Sequence, residues 1–363
     1  MSHLPERRSL IAIVTIAMAV AMAVDGCGAA VTTASPGSAA PATSSAPPFV
    51  PAASAPASSP APASSPAPAS PRASTSSPSS STAIRVVATV APFRLPRPLS
   101  RSSAVTLGNA VLLCGGLTST GTTADVMLVD PAGRLVTTIG RLATPVHDAA
   151  ATTVGARAFV FGGGSLVAGS TVQLVDPLGG SRLVGRLPAP RADLASVNVG
   201  GAAIVVGGGT PLRPDPAVLS TADGVHFSRL ATLAAAVRYP AVATVGGKIY
   251  VIGGSTPGGA SDAIQVIDPS THTVAIVGHL PFALSDAAAL VIGGRLLVLG
   301  GRRAGVPVDT ILAVDPQTGS AREVGHLPYR VADAAAIVVA GVGYLIGGEG
   351  STQLASIVAI RAS

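Results

Sequence analysis

"KIYVIGG", residues 248–254, runs through a short apolar stretch and stops on two adjacent glycines. Glycine weakens a strand because it brings no side chain to pack, so a strand-like run that ends on a pair of them needs a reason. The same ending recurs along the chain. "VLLCGG" closes at Gly115 and Gly116, "AFVFGG" at Gly162 and Gly163, and "AIVVGG" at Gly207 and Gly208. "LLVLGG" follows at Gly300 and Gly301, and "GYLIGG" at Gly347 and Gly348. From one first glycine to the next the intervals are 47, 45, 46, 47 and 47 residues. A fixed period of this length marks a repeat architecture, here of six units.

Aligned on the glycine pairs, each unit divides into four short apolar runs. The first is built of small residues, as in "DAAALVIGG" from Asp286 and "DAAAIVVAG" from Asp333. The second ends in the glycine pair. The third often ends at an aspartate before proline: Asp130, Asp176, Asp268 and Asp315. The fourth leads into a leucine corner, as in "TVAIVGHLP". Short apolar runs bounded by Gly, Pro and Asp are strands, and no segment after residue 83 reads as a helix. Six four-stranded units are the pattern of an all-β, six-bladed β-propeller.

The glycine pair, the Asp-Pro step and the Leu-Pro corner resemble the Kelch repeat family over residues 84–363. The chain departs from that pattern in having no tryptophan, and it keeps the second-strand aromatic only as Phe159, Tyr250 and Tyr344. The sixth unit holds three runs, and "IRVVATVAP" at 84–92 precedes the first corner. This N-terminal strand is expected to complete the last blade and hide the edge that an open ring would leave.

The first 83 residues are of another kind. Arg7 and Arg8 precede an apolar stretch from Leu10 to Val24, too short to span a bilayer comfortably, which predicts a signal peptide over 1–27. "VDGC" at 24–27 resembles the bacterial lipobox, with Asp25 where a small uncharged residue is usual. That resemblance implies lipidation at Cys27, an extracytoplasmic protein anchored to a membrane, with simple secretion as the alternative. Residues 28–83 are dominated by Pro, Ala, Ser and Thr, have almost nothing to bury, and are expected to form a disordered tether. Cys114 is then left alone, without a disulfide partner or a CxxC pattern. The net charge of +6 is scattered, with few aromatics, which argues against nucleic acid.

The position that opens each first strand carries the candidate site. It reads Arg101, Asp148, Asp193, Tyr239, Asp286 and Asp333 around the units. The first strand of a propeller is innermost, so these six would ring one mouth of the central channel. Two accounts stand side by side. Repeated aspartates are placed to accept from free N–H groups at the channel edge, a structural cap. Repetition favours that account, while four carboxylates broken by Arg101 and Tyr239 are also placed to hold a cation or hydrogen-bond sugar hydroxyls. His147, Arg191 and Arg238 fall near the same mouth, which leaves room for an acid–base site. A second ring, Arg94, Arg141, Arg186, Thr232, His279 and His326, precedes the corner leucines as a charged rim. The histidines at 147, 226, 272, 279 and 326 show no ligand spacing, so no metal and no cofactor are expected. The expectation is a monomeric, non-enzymatic binding module for a protein or envelope polysaccharide. The alternatives are a carbohydrate-active enzyme working at the channel mouth and a purely structural role.

Overall fold

The computed structural model describes residues 85–107 and 110–363, and the expectations for residues 1–27 and 28–83 lie outside them. Six antiparallel sheets form the ring, and no helix occurs among the described residues. Blade 1 runs outward in chain order through Ser103–Leu107, Ala110–Cys114, Asp125–Asp130 and Leu135–Arg141. Blades 2 to 5 repeat this order. Blade 6 consists of Ala335–Val339, Val342–Ile346 and Ser356–Ala362, with Val86–Arg94 paired to the last of these. That N-terminal strand begins and ends two residues later than its sequence pattern suggests. In blade 3 the second strand, Ala202–Thr210, runs on through its glycines instead of ending at them. Small two-stranded hairpins also rise from the loops of blades 1, 4 and 5.

No single centre holds the protein together. Its buried apolar residues fall into six clusters, each sandwiched between two neighbouring blades. The quoted strand explains how. Successive side chains of a strand face opposite ways, so Tyr250 and Ile252 pack toward blade 5 while Ile249 and Val251 pack toward blade 3. Both faces are covered, which is why the run is apolar without alternation. The Tyr250 hydroxyl donates to the carbonyl of Pro316 in blade 5 at 2.9 Å, so its polar tip is satisfied as its ring is buried. The Asp-Pro steps are turns held by the aspartate itself. Asp130 Oδ1 accepts the N–H groups of Ala132 and Gly133 at 3.0 and 2.9 Å, and Asp176, Asp268 and Asp315 act alike.

The glycine pairs are the joints between blades. Both members have positive φ in every unit. The second donates its N–H to a carbonyl at the start of the next blade. Gly116 donates to Val146, Gly163 to Arg191, Gly208 to Val237, Gly254 to Leu284, Gly301 to Val331, and Gly348 back to Leu99. The donor–acceptor distances are 2.8–2.9 Å, and the set closes on itself. A Cβ on the first glycine would collide with that same carbonyl oxygen in all six units. Close approach and a left-handed backbone together leave room only for glycine.

The corners are pinned in two ways. All six corner leucines, from Leu95 to Leu327, are buried. Proline follows four of them, but alanine follows Leu142 and Leu233. Those two corners are clamped instead by a buried glutamine of the next blade. Gln173 bonds the N–H and C=O of Thr144 at 2.9 and 3.0 Å, and Gln265 bonds both groups of Ala235 at 3.0 Å. Where proline does not fix the turn, a side-chain amide does.

Strand direction sets what lies on each face. The glycine joints, the corners and the hairpins share one face with the mouth. The Asp-Pro turns lie on the other. Arg85 and Ser363, which exchange N–H···O bonds at 3.0 Å in both directions, sit at the Asp-Pro end of their strands.

Candidate functional site

The mouth is built first from backbone. Arg101, Asp148, Asp193, Tyr239, Asp286 and Asp333 all adopt left-handed φ, between 53° and 62°. Each N–H donates to the carbonyl of the residue one blade earlier, at 2.8–3.3 Å, and Arg101 completes the circle by donating to Asp333. The structure thus brings all six expected residues together on one small concavity. It also shows why aspartate recurs: among non-glycine residues Asp and Asn tolerate this conformation best. The edge N–H groups are satisfied by neighbouring carbonyls, so the carboxylates are free for other partners.

Those partners are arginines. The Arg101 guanidinium donates to Glu349 at 3.1 Å, to Asp148 at 3.2 Å and to the Tyr239 hydroxyl at 3.4 Å. Arg302 bridges Asp333 at 2.9 Å and Glu349 at 2.6 Å. Arg238 holds Asp193 through both Nε and Nη2, and lies 5.1 Å over the Tyr239 ring. Asp286 accepts from Ser285 and has no ion pair among the described residues. Ser100 donates to Glu349 at 2.8 Å, and the His147 ring reaches Thr122 at 2.8 Å and Asp148 at 3.6 Å.

Burial shapes the protonation of this cluster. It pushes Asp148 up to about 8 against the pull of Arg101, with Asp193 and Asp333 adding their repulsion. It pushes Asp333 up to about 7, aided by Asp286 and Glu349 and opposed by Arg101. Burial alone would lower the Arg101 pKa, but Asp333, Asp148 and Glu349 outweigh it and keep the guanidinium firmly charged. His147 is lowered by burial and by Arg101. The Tyr239 hydroxyl is raised by burial, then by Asp148 and Asp193.

A stability profile follows. Folding lifts Asp148 and Asp333 from the ordinary value of 3.8, so the folded chain keeps protons that the unfolded chain releases. Their contribution is complete below about pH 4 and is lost as pH rises through 7 and 8. Between pH 5 and pH 9 the melting temperature of the parent should fall by on the order of 5 °C more than that of the Asp148→Asn, Asp333→Asn variant. Thermal melts of both across that range check this, and parallel curves would refute it.

Beside the ring, between blades 2 and 3, a cavity of about 460 Å³ opens on the same face. Arg101, His147, Asp148, Asp193, Arg238 and Tyr239 form its polar side. Its apolar side includes Leu166 and Val167, and Leu212 follows Pro211 at the rim. These three aliphatic side chains are 97%, 80% and 89% exposed. Among the described residues the lip belongs to blades 2 and 3; on the same face the hairpin of blade 5 exposes one aliphatic side chain, Val306, away from this cavity.

Arg191, expected near the mouth, lies elsewhere. It is 1% exposed and fills a core position held in the other units by Leu99, Val146, Val237, Leu284 and Val331. There it bonds Asp215 and the Ala217 carbonyl, both at 2.7 Å, and anchors blade 3's loop. The second ring is paired at three positions, Arg141 with Asp125, His279 with Asp262 and His326 with Asp309, while Arg186 donates to the Ser170 hydroxyl at 3.3 Å. Cys114 is buried and its thiol is pushed up to about 12, an unreactive state. Among the described residues no group of His, Cys, Asp and Glu is arranged to hold a metal ion.

Sequence reasoning missed Arg302 and Glu349. Both stand directly after a glycine pair, a position that reads Leu117, Gly164, Gly209, Ser255, Arg302 and Glu349 around the ring. The available signal was variation at an otherwise matched position.

Comparison with known proteins agrees with this architecture. The Kelch motif model matches residues 236–281 and 283–320, which fall on blades 4 and 5. Together with the six blades, this supports the Kelch-repeat β-propeller family. The chain is similar to the solved structure of YjhT, with a TM-score of 0.63 and 16% identity over 74% of this chain and 99% of that one. That likeness is one of fold. No curated protein matches the chain.

Proposed function

We propose that the propeller is a non-enzymatic binding module, exported and held at the cell envelope through Cys27, which takes a protein partner on its mouth face. The observation that carries this reading is the broken symmetry of that face. The backbone ring repeats six times, yet one pair of blades presents three nearly bare aliphatic side chains beside a charged pit. Exposed aliphatic groups next to a polar pocket fit a protein surface better than sugar hydroxyls. The Kelch motif match favours it too, because Kelch propellers generally mediate protein binding.

A photo-crosslinking amino acid placed at Leu212 of the full chain, in its own envelope, tests this against one placed at Leu178. Both positions are well exposed, 89% and 84%, but Leu178 lies on the Asp-Pro face. Adducts at 212 and none at 178 are expected. Equal labelling at both, or labelling at 178 alone, would remove the proposal.

One observation favours a second reading, a carbohydrate-active enzyme. His147 and Asp148 lie 3.6 Å apart on the cavity wall, with protonation states shifted in opposite directions. Turnover of an envelope glycan that is lost in Asp148→Asn would support it.

A further inference from the structure

We infer that the cavity between blades 2 and 3 receives a segment of the partner in which a lysine or arginine stands beside an apolar residue. The basic group reaches into the mouth ring, and the apolar one rests on Leu166, Val167 and Leu212. The inference rests on the binding reading above and adds the chemistry of the partner.

Charge complementarity selects this occupant. Within the pit Arg101, Arg238 and Arg302 face Asp148, Asp193, Asp286, Asp333 and Glu349. Three guanidinium groups stand against five carboxylates. The arginines are already shared: Arg101 serves Glu349, Asp148 and Asp333, and Arg302 serves Asp333 and Glu349. Asp286 has no ion pair of its own among the described residues. The pit is therefore short of positive charge, although the chain as a whole carries +6. Burial first, and then repulsion from neighbouring carboxylates, raises Asp148 and Asp333, so both hold protons that an incoming cation can replace.

An anionic side chain would meet repulsion and gain no free arginine. Arg213 and Arg330 are exposed, in water that screens their charge. An ammonium or guanidinium group would find Asp286 open, and it would displace protons from Asp148 and Asp333. Tyr239, already flanked by Arg101 at 5.9 Å and Arg238 at 5.1 Å, adds a ring suited to cations. The cavity, at about 460 Å³, lies within the range of pockets that enclose a ligand. Its own wall carries Asp148, Asp193 and Arg238 beside the aliphatic lip, and it shares Arg101, Asp148, Asp193 and Tyr239 with the ring concavity in which Asp286 and Asp333 lie.

The test is calorimetric titration of the full chain with blocked tripeptides, acetyl-Leu-Lys-Leu-amide and its forms with Arg, norleucine or Glu at the centre. The Lys and Arg peptides should bind at least about tenfold more tightly than the other two. At pH 7, titrations in two buffers of different ionisation enthalpy should show protons released on binding. Asp286→Asn suits the same left-handed backbone, and provided it melts like the parent it should weaken the Lys peptide several-fold while leaving the norleucine peptide unchanged. Equal binding of all four peptides, weakened by Leu166→Asp, would overturn the cationic inference and leave the docking surface standing. Preferential binding of the Glu peptide would overturn it as well. So would no binding of any peptide when crosslinks form at Leu212, whereas no peptide binding and no crosslinks there would remove both readings.

Discussion

Replacing Gly300 by alanine should cost the domain about 4 kcal/mol, while the same change at Gly294 should cost about 1 kcal/mol. Both glycines have positive φ, 58° and 76°, so both substitutions bear the strain of a side chain in the left-handed region. They differ in their surroundings. A Cβ at Gly294 meets nothing within 4 Å. A Cβ at Gly300 falls on the carbonyl oxygen of Val331, and backbone cannot swing aside as a side-chain tip can. That carbonyl also accepts the N–H of Gly301 at 2.8 Å, so pushing it away breaks the joint between blades 5 and 6. Denaturant unfolding of the two variants measures the difference, and equal losses would show that the joints tolerate a methyl group.

The larger effect should come from removing residues 86–94. Blade 6 would lose its outermost strand, and Ser356–Ala362 would become an unpaired edge. The contacts of Ala91, Phe93, Val86 and Ala88 with the two flanking clusters would go with it. Each blade is buried only by its neighbours, so an opened ring exposes apolar faces on both sides of the gap. The shortened chain should lack a cooperative melt and be cut by protease throughout blades 6 and 1. A rescue separates loss of the strand from loss of its connection. Arg85 and Ser363 already bond each other, so an Asn-Gly turn placed after Ser363 and followed by residues 85–94 should restore pairing as a hairpin. A deletion that melts like the parent would mean that the first blade and the sixth hold together without the strand.

The ring was legible because repetition multiplies weak signals. One glycine pair says little, but six at near-constant spacing specify blade count, strand order and which residue opens each inner strand. The position of Asp148 or Tyr239 at the mouth follows from that alignment alone. Their partners did not, because the alignment rewards likeness and Arg302 and Glu349 occupy a position that agrees only between blades 2 and 3, both glycine. Arg191 misled for a related reason. Its charge argued for the surface, yet the alignment places it where five other units carry Leu or Val, and the core accepts it because Asp215 and a carbonyl meet the guanidinium there. The aspartates of the mouth recur for the backbone shape they permit as much as for their charge, and sequence does not separate these two causes.

The polarity of one strand decides what the molecule presents to its surroundings. Val86–Arg94 climbs from the Asp-Pro face to the mouth face, a rise of roughly 30 Å at about 3.3 Å per residue. The described chain therefore enters the propeller at Arg85, on the side away from the pit. A pull along the incoming chain at Arg85 would fall on the propeller's back, leaving the cavity, the lip and the arginine–carboxylate ring clear of the point of attachment. A binding face so placed can be engaged without the incoming chain crossing it, and moving the point of attachment to that strand's other end would bring the chain up beside the mouth.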